Sequence, residues 1–274
     1  MLETVARPQS ARLAVPWLKG RQAAILAGGT LIMPAVNAGT SGLRTLVSLD
    51  RSGLSAIKIG KDRVTLGAMV RLSAIAREPG LAALHPVIAA IGHPTLRNSA
   101  TVGGNLFAPA PYGDLAVALL ALDASVATEG PAGQKTQKLE AWLAGRSGGE
   151  IVTHVRFTLP EPGAFRFHKA MRRTHNSAAI VTVAVLLDMA DGTVKRSRVA
   201  LGGVGPGPLR SRAAEAALAG KPLTEAAAIA AGEAARGDIR PADDAYASAW
   251  YRRQVLPVHV RRALLGPSSN GRPS

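Results

Sequence analysis

Apolar and polar positions alternate through "LRTLVSLD", "LSAIKIG" and "RVTLGAMV", which run from about Leu43 to Ala68 with Gly, Ser and Asp between them. A period of two puts every second side chain on one face, so these segments read as short half-buried strands. An earlier apolar run, Ala23 to Leu26, reads as a strand that leads straight into "AGGTLIMP". The period then lengthens. "RLSAIAREPGLAALHPVIAAIG" carries apolar residues at helical spacing and is broken at Pro79-Gly80. Asp114 to Leu122 reads as a helix, Ala124 to Thr128 as a strand, and "TEGPAGQKTQK" as a turn or surface loop.

After Pro160 the texture changes. "FRFHKAMRR" alternates, "AAIVTVAVLLDM" is a buried-strand run, "ADG" signals a hairpin, and "TVKRSRVALGGV" is the returning strand. That predicts a three-stranded antiparallel meander. The remainder is alanine-rich and helical. Ser211 is placed to cap "RAAEAALA" with Gly220 closing it, and Pro222 and Thr224 start a second helix. Asp243-Asp244 precede a third helix that ends near Leu265, and the tail "GPSSNGRPS" (267–274 in the main) reads as disordered. The expected organisation is a first domain over 1–159, with subdomains of about 1–45 and 46–159, then a second over 160–266.

Composition narrows the classes. The chain has 274 residues, 47% of them hydrophobic, which is enough for one large core or several small ones. No apolar run approaches the roughly eighteen residues a membrane span requires, and no secretory h-region opens the chain. A cytoplasmic protein is expected. With no cysteine, its own thiolates hold no iron–sulphur cluster or zinc ion, and any redox centre is organic or sits on a partner. The formal charge of +15 raises nucleic-acid binding. Scattered basic residues and an aromatic content of 4% argue against a base-stacking platform, and a cationic face for an acidic partner or an anionic cofactor is the better reading.

Two glycine loops carry the candidate chemistry. "AGGT", Ala27 to Thr30, follows an apolar strand, and "TVGGN", Thr101 to Asn105, repeats its character with an added amide. Glycine pairs let backbone N–H groups approach an anion without a Cβ in the way. Each alone is also what an ordinary turn looks like. Together they could face one extended anion such as a pyrophosphate. No Gly-Lys-Ser/Thr follows either, which argues against an ordinary ATPase. "GGVGPGP" (Gly202 to Pro208) imitates a dinucleotide fingerprint but has Pro208 in place of the third glycine and closes a meander, so it reads as a turn. Asp114 is either a helix N-cap or a carboxylate for a ribose or adenine-side donor. His85, His93, His154, His168, His175 and His259 show no metal-ligand spacing.

Three stretches now combine. "ILAGGTLIMP", "TVGGNLFAPAPYGDLAVALLALDASV", and "VALGGVGPGPLRSRAAEAALAGKPL" through "ASAWYRRQVLPVHVRRAL" occur in this order over about residues 20 to 266. In these the chain resembles the FAD-binding medium subunit of the molybdenum-containing hydroxylases, the family of xanthine and carbon monoxide dehydrogenases. The resemblance implies an α+β chain. It would comprise a vanillyl-alcohol-oxidase-type FAD-binding domain of two α+β subdomains, then a C-terminal domain of three antiparallel strands with a helical bundle.

It further implies non-covalent FAD, with Ala27, Gly28, Gly29, Thr30, Leu31, Thr101, Gly103, Gly104 and Asn105 along the diphosphate and ribityl chain. Asp114 would anchor the nucleotide side, and the strand near Val152 would pass the cofactor. Lys169 would bring a positive charge that favours the reduced flavin. Leu31 stands where the family commonly has Asp, and Asn176-Ser177 where an Asp-aromatic pair often covers the flavin. The implied role is electron relay in a heterotrimer, of which the resemblance favours a dimer. Substrate would react at a molybdenum cofactor on a large subunit, and electrons would pass through 2Fe–2S clusters of a small subunit to this FAD. From there they would go to NAD, oxygen or a quinone-type acceptor. A stand-alone flavoprotein oxidase and a basic scaffold or nucleic-acid-binding protein are the alternatives.

Overall fold

The computed structural model describes residues 2–20, 22–146, 148–173 and 177–266. The readings placed on His175, on Asn176 and on the tail fall outside these residues. The chain divides into two compact units: Met1–Ile88, Gly92–Ala108 and Ala124–Leu159 form the first, and Ala89–Ile91, Pro109–Asp123 and Pro160–Ser274 the second. No described helix is long and apolar enough to cross a membrane.

The first unit holds two sheets. Thr4–Ala6 (β1), Ala23–Leu26 (β2) and Thr45–Ser48 (β3) form a parallel sheet in the order β1-β3-β2. Helix Ala11–Ala14, capped by Ser10 Oγ accepting from the Leu13 N–H, adds to a small core with Val47, Leu49 and Ile151. The alternating segments form Ile57–Ile59 (β4) and Arg63–Gly67 (β5). They join Ser125–Gly130 (β6), Gly133–Lys138 (β7) and Ile151–Thr158 (β8) in an antiparallel sheet of order β4-β5-β8-β6-β7. "TEGPAGQKTQK" is therefore not a loop but most of a hairpin. Gly130 pairs with Gly133 across Pro131 and Ala132, and Gly133, at φ 97°, supplies the left-handed step that follows the turn. β7 is a largely exposed edge strand, so its side chains give no apolar alternation to read.

The second unit is built on Phe165–Met171 (β9), Ala179–Ala190 (β10), Thr193–Gly202 (β11) and Leu209–Arg210 (β12). The sheet order is β12-β11-β10-β9, one strand more than the expected meander. The extra strand is two residues long and has no pattern to betray it. Asp191 and Gly192 link β10 to β11 with φ of 49° and 74°, the left-handed pair a tight hairpin needs. "GGVGPGP" is a turn here, with Gly203 at φ 74°.

Helices Arg212–Leu218, Glu225–Ala235 and Ala249–Leu265 follow, N-capped by Ser211, Thr224 and Ser248. Their apolar faces share one core with Val181, Val183, Val185, Val199 and Leu201. Arg252 is 1% exposed and crosses this core to donate to the Ala179, Ile180 and Gly203 carbonyls and to Asp244. Helix Glu225–Ala235 lies so close to the last helix that a Cβ on Gly232 would sit 2.7 Å from the Pro257 Cα and carbonyl oxygen.

On the same unit, His168 of β9 stacks on His259 of the last helix at a centroid distance of 5.1 Å, with Nε2 and Nδ1 3.0 Å apart. Burial pushes both imidazoles below their usual range, His259 to about 4, with the neighbouring His168 and Arg262 adding to the effect there.

Two outcomes are expected. Gly232→Ala gains helix propensity of about 1 kcal/mol, yet it should lower stability by roughly 1–3 kcal/mol because backbone must move to admit the methyl; thermal unfolding reads this. The depressed folded-state pKa of His259 means that the unfolded chain binds more protons below about pH 6.5. Its stabilising contribution is thus full above that pH and is lost as pH falls through about 4. His259→Phe should flatten the fall in Tm over that window.

Candidate functional site

The first unit contains a cavity of about 520 Å³ bounded by both glycine loops. Of the twelve residues singled out in the sequence, Ala27, Gly28, Gly29, Thr30, Leu31, Thr101, Gly103, Gly104 and Val152 line it. Strand β2 delivers the first loop, and Val152 comes from β8. Residues without a chemical signature complete the wall, among them Leu49, Met69, Phe107 and Glu150. Only Phe107, a half-exposed aromatic two residues past "GGN", could have been suspected from sequence.

The two loops are not equivalent. In the second, one helical turn, Val102–Asn105, is capped by Thr101, whose Oγ1 accepts from the Gly104 N–H at 3.1 Å. Val102 N–H donates to Val70, Gly103 to Ala68 and Asn105 to Thr101 carbonyls at 2.8–2.9 Å. Its donors are spent on the protein. In the first loop, the N–H groups of Gly28, Gly29, Thr30 and Leu31 donate to no other group among the described residues. This is the loop that presents a row of free donors, the arrangement that binds an anion.

The glycines also divide by purpose. A Cβ on Gly28 would fall 1.9 Å from the Ser99 carbonyl oxygen, and one on Gly103 would fall 2.9 Å from the Ala68 Cβ. These two let protein backbone approach protein backbone. Gly29, at φ 73°, supplies the left-handed step that turns the first loop, while a Cβ on Gly104 would meet only the Thr101 hydroxyl, at 3.1 Å.

Asn105 Oδ1 is buried with no hydrogen-bond donor, which is costly unless a ligand supplies one. A row of free N–H groups on an apolar cavity fits a dinucleotide cofactor, while Asn105, next to Gly104, does not itself line that cavity.

Asp114 and Lys169 belong to the second unit. Asp114 is not the N-cap: Gly113, at φ 95°, holds that position, and Asp114 opens helix Asp114–Ala121. Its Oδ2 accepts from Lys169 Nζ at 2.8 Å and its Oδ1 from Thr182 Oγ1 at 2.7 Å. Lys169 Nζ also donates to the Ala90 carbonyl at 2.8 Å, and both side chains are about 95% buried. The pair is electrically balanced, so the charge expected of Lys169 is met by Asp114. Removing either partner would strand the other charge in the interior.

Known proteins carry the same organisation. Residues 2–161 match the family described as the FAD binding domain in molybdopterin dehydrogenase, and residues 166–266 match the CO dehydrogenase flavoprotein C-terminal domain. The chain is 30% identical to the 6-hydroxypseudooxynicotine dehydrogenase complex subunit alpha of Paenarthrobacter nicotinovorans, over 93% of this chain and 90% of that one. It is 28% identical to the carbon monoxide dehydrogenase medium chain of Hydrogenophaga pseudoflava, over 89% of each. A solved structure of carbon monoxide dehydrogenase from Hydrogenophaga pseudoflava superposes with a TM-score of 0.89 at 29% identity, covering 96% of both chains. Quinoline 2-oxidoreductase from Pseudomonas putida gives a TM-score of 0.86 at 26% identity, covering 97% of this chain and 96% of that one.

Gly28→Ala should be the most damaging single methyl in the site. It forces Ser99 away, so the purified variant is expected to unfold at lower temperature and to retain little flavin. Gly104→Ala, which meets one hydroxyl, should keep both properties closer to the parent. Flavin released by denaturation and thermal unfolding measure the two effects.

Proposed function

We propose, given that this chain belongs to the FAD-binding medium subunits of the molybdenum-containing hydroxylases, that it is the electron-relay subunit of a three-component dehydrogenase. The family membership makes it an oxidoreductase subunit with an FAD-binding domain of the vanillyl-alcohol-oxidase type. The observation that supports the relay reading best is the unspent N–H row from Gly28 to Leu31, facing the same cavity as the second loop.

In this reading the first loop binds the cofactor's diphosphate through Gly28, Gly29, Thr30 and Leu31 N–H groups, with Ala27 beginning the turn. Thr101, Gly103 and Gly104 form the facing wall, with Asn105 next to Gly104 in the chain. Val152 closes the cavity from β8. Asp114 and Lys169 hold each other as a buried ion pair within the second unit and take no part in holding the cofactor in this reading. Bound FAD supplies a centre that takes up two electrons and passes them on. The chain's own residues hold it, exclude water along the apolar wall and contribute no nucleophile.

The partners are a large subunit bearing a molybdenum cofactor and a small subunit bearing 2Fe–2S clusters, arranged as a dimer of heterotrimers in the cytoplasm. NAD, oxygen or a quinone-type compound is the external acceptor. The complex purified through this chain should contain about one FAD per copy, together with iron and molybdenum. The isolated chain should retain FAD and hydroxylate nothing. Substrate turnover by the isolated chain, or a complex without iron and molybdenum, would sink the relay reading.

A further inference from the structure

A second cavity, of about 340 Å³, lies elsewhere in the first unit and has no part in the reading above. Ser10 and Arg12 border it from the first helix and its cap, Ser52 and Leu54 from the segment after β3, and Glu129, Gln134, Thr153 and His154 from β6, β7 and β8. Glu129 is 4% exposed, and its carboxylate, which borders the cavity, forms no hydrogen bond or ion pair with the side chain of any other described residue. An ionised carboxylate withdrawn from water without a counter-charge is among the costliest groups a fold can hold. A buried acid facing a cavity is therefore a group awaiting a partner.

The other walls say what kind. Thr153 Oγ1 donates its one proton to the Ala127 carbonyl at 3.1 Å, so at 3.2 Å from His154 Nδ1 it accepts, which places the imidazole proton on Nδ1. Burial holds His154 below its usual range, with Arg156 and Lys58 adding to the effect, so the ring brings no positive charge of its own. Ser10, Ser52 and Thr153 add hydroxyl oxygens and Gln134 an amide oxygen. Arg12 is exposed and makes no ion pair with Glu129. No group of three or more His, Asp or Glu able to hold a metal occurs among the described residues. The volume also exceeds that of a bare ion and falls at the small end of ligand pockets.

We infer that this cavity binds a small organic cation through a primary ammonium group, whose three donors are met by Glu129 and the surrounding hydroxyl and amide oxygens. The site is separate from the glycine loops, so its occupancy and flavin retention are independent quantities.

The test is calorimetric titration of the full chain, purified with its flavin, using n-butylammonium at neutral pH. Tetramethylammonium, which cannot donate, and n-butanol, which has no charge, are the controls. Saturable one-to-one binding of n-butylammonium alone is expected. It should be about tenfold weaker in Glu129→Gln, with flavin content unchanged. Should Glu129→Gln fail to fold, Gln134→Ala keeps the charge and should weaken binding several-fold. Absence of saturable binding, equal binding of tetramethylammonium, or undiminished affinity in the folded variants overturns the inference. Binding that appears only in Arg12→Ala overturns it as well, because Arg12 would then be the internal counter-charge.

Discussion

The distance between the Gly28 backbone and the Ser99 carbonyl governs the first unit. No side chain fits there, since even a methyl would stand 1.9 Å from the oxygen. The contact lays the first glycine loop against the chain that enters the second, and the cavity walls inherit their spacing from it. Division of labour follows. The second loop spends its donors on Val70, Ala68 and Thr101 and becomes a fixed wall. The first can then leave its own donors free, because the close packing at Gly28 and the Gly29 carbonyl, which accepts from the Met33 N–H, hold it in place.

The second unit solves a different problem. It carries charged groups within its interior and settles each locally. Lys169 meets Asp114, and Arg252 meets three carbonyls and Asp244. These contacts tie β9, β10 and the last helix to one another in fixed register. Charge buried in this manner adds less to net stability than to the uniqueness of the packing, since any slippage would leave an ion unpaired.

Much of this was legible in the sequence. Period-two alternation located β3, β4 and β5, and the hairpin signal at Asp191-Gly192 located the turn between β10 and β11, because burial on one face writes itself into composition. The loops Ala27–Thr30 and Thr101–Asn105 draw notice only as a pair, since either alone is what an ordinary turn looks like, and their part in binding a cofactor comes from the resemblance. What escaped notice had no such imprint. β7 is an edge strand of Gly, Lys, Gln and Thr, β12 is two residues long, and the apolar cavity wall looks like any other core. Nor could the sequence reveal that Gly28 serves a carbonyl of its own chain, or that Asp114 is already held by Lys169 and Thr182, since both depend on which distant segments meet.

The edges of the five-stranded sheet carry one more consequence. β4 presents Lys58 at one margin, and β7 presents Lys135 at the other. Ammonium groups along an open strand repel an incoming strand and keep their own solvation. The sheet is thus closed to growth from either side. At this sheet, association by strand addition is disfavoured, and the contacts left to it are side chains on its faces.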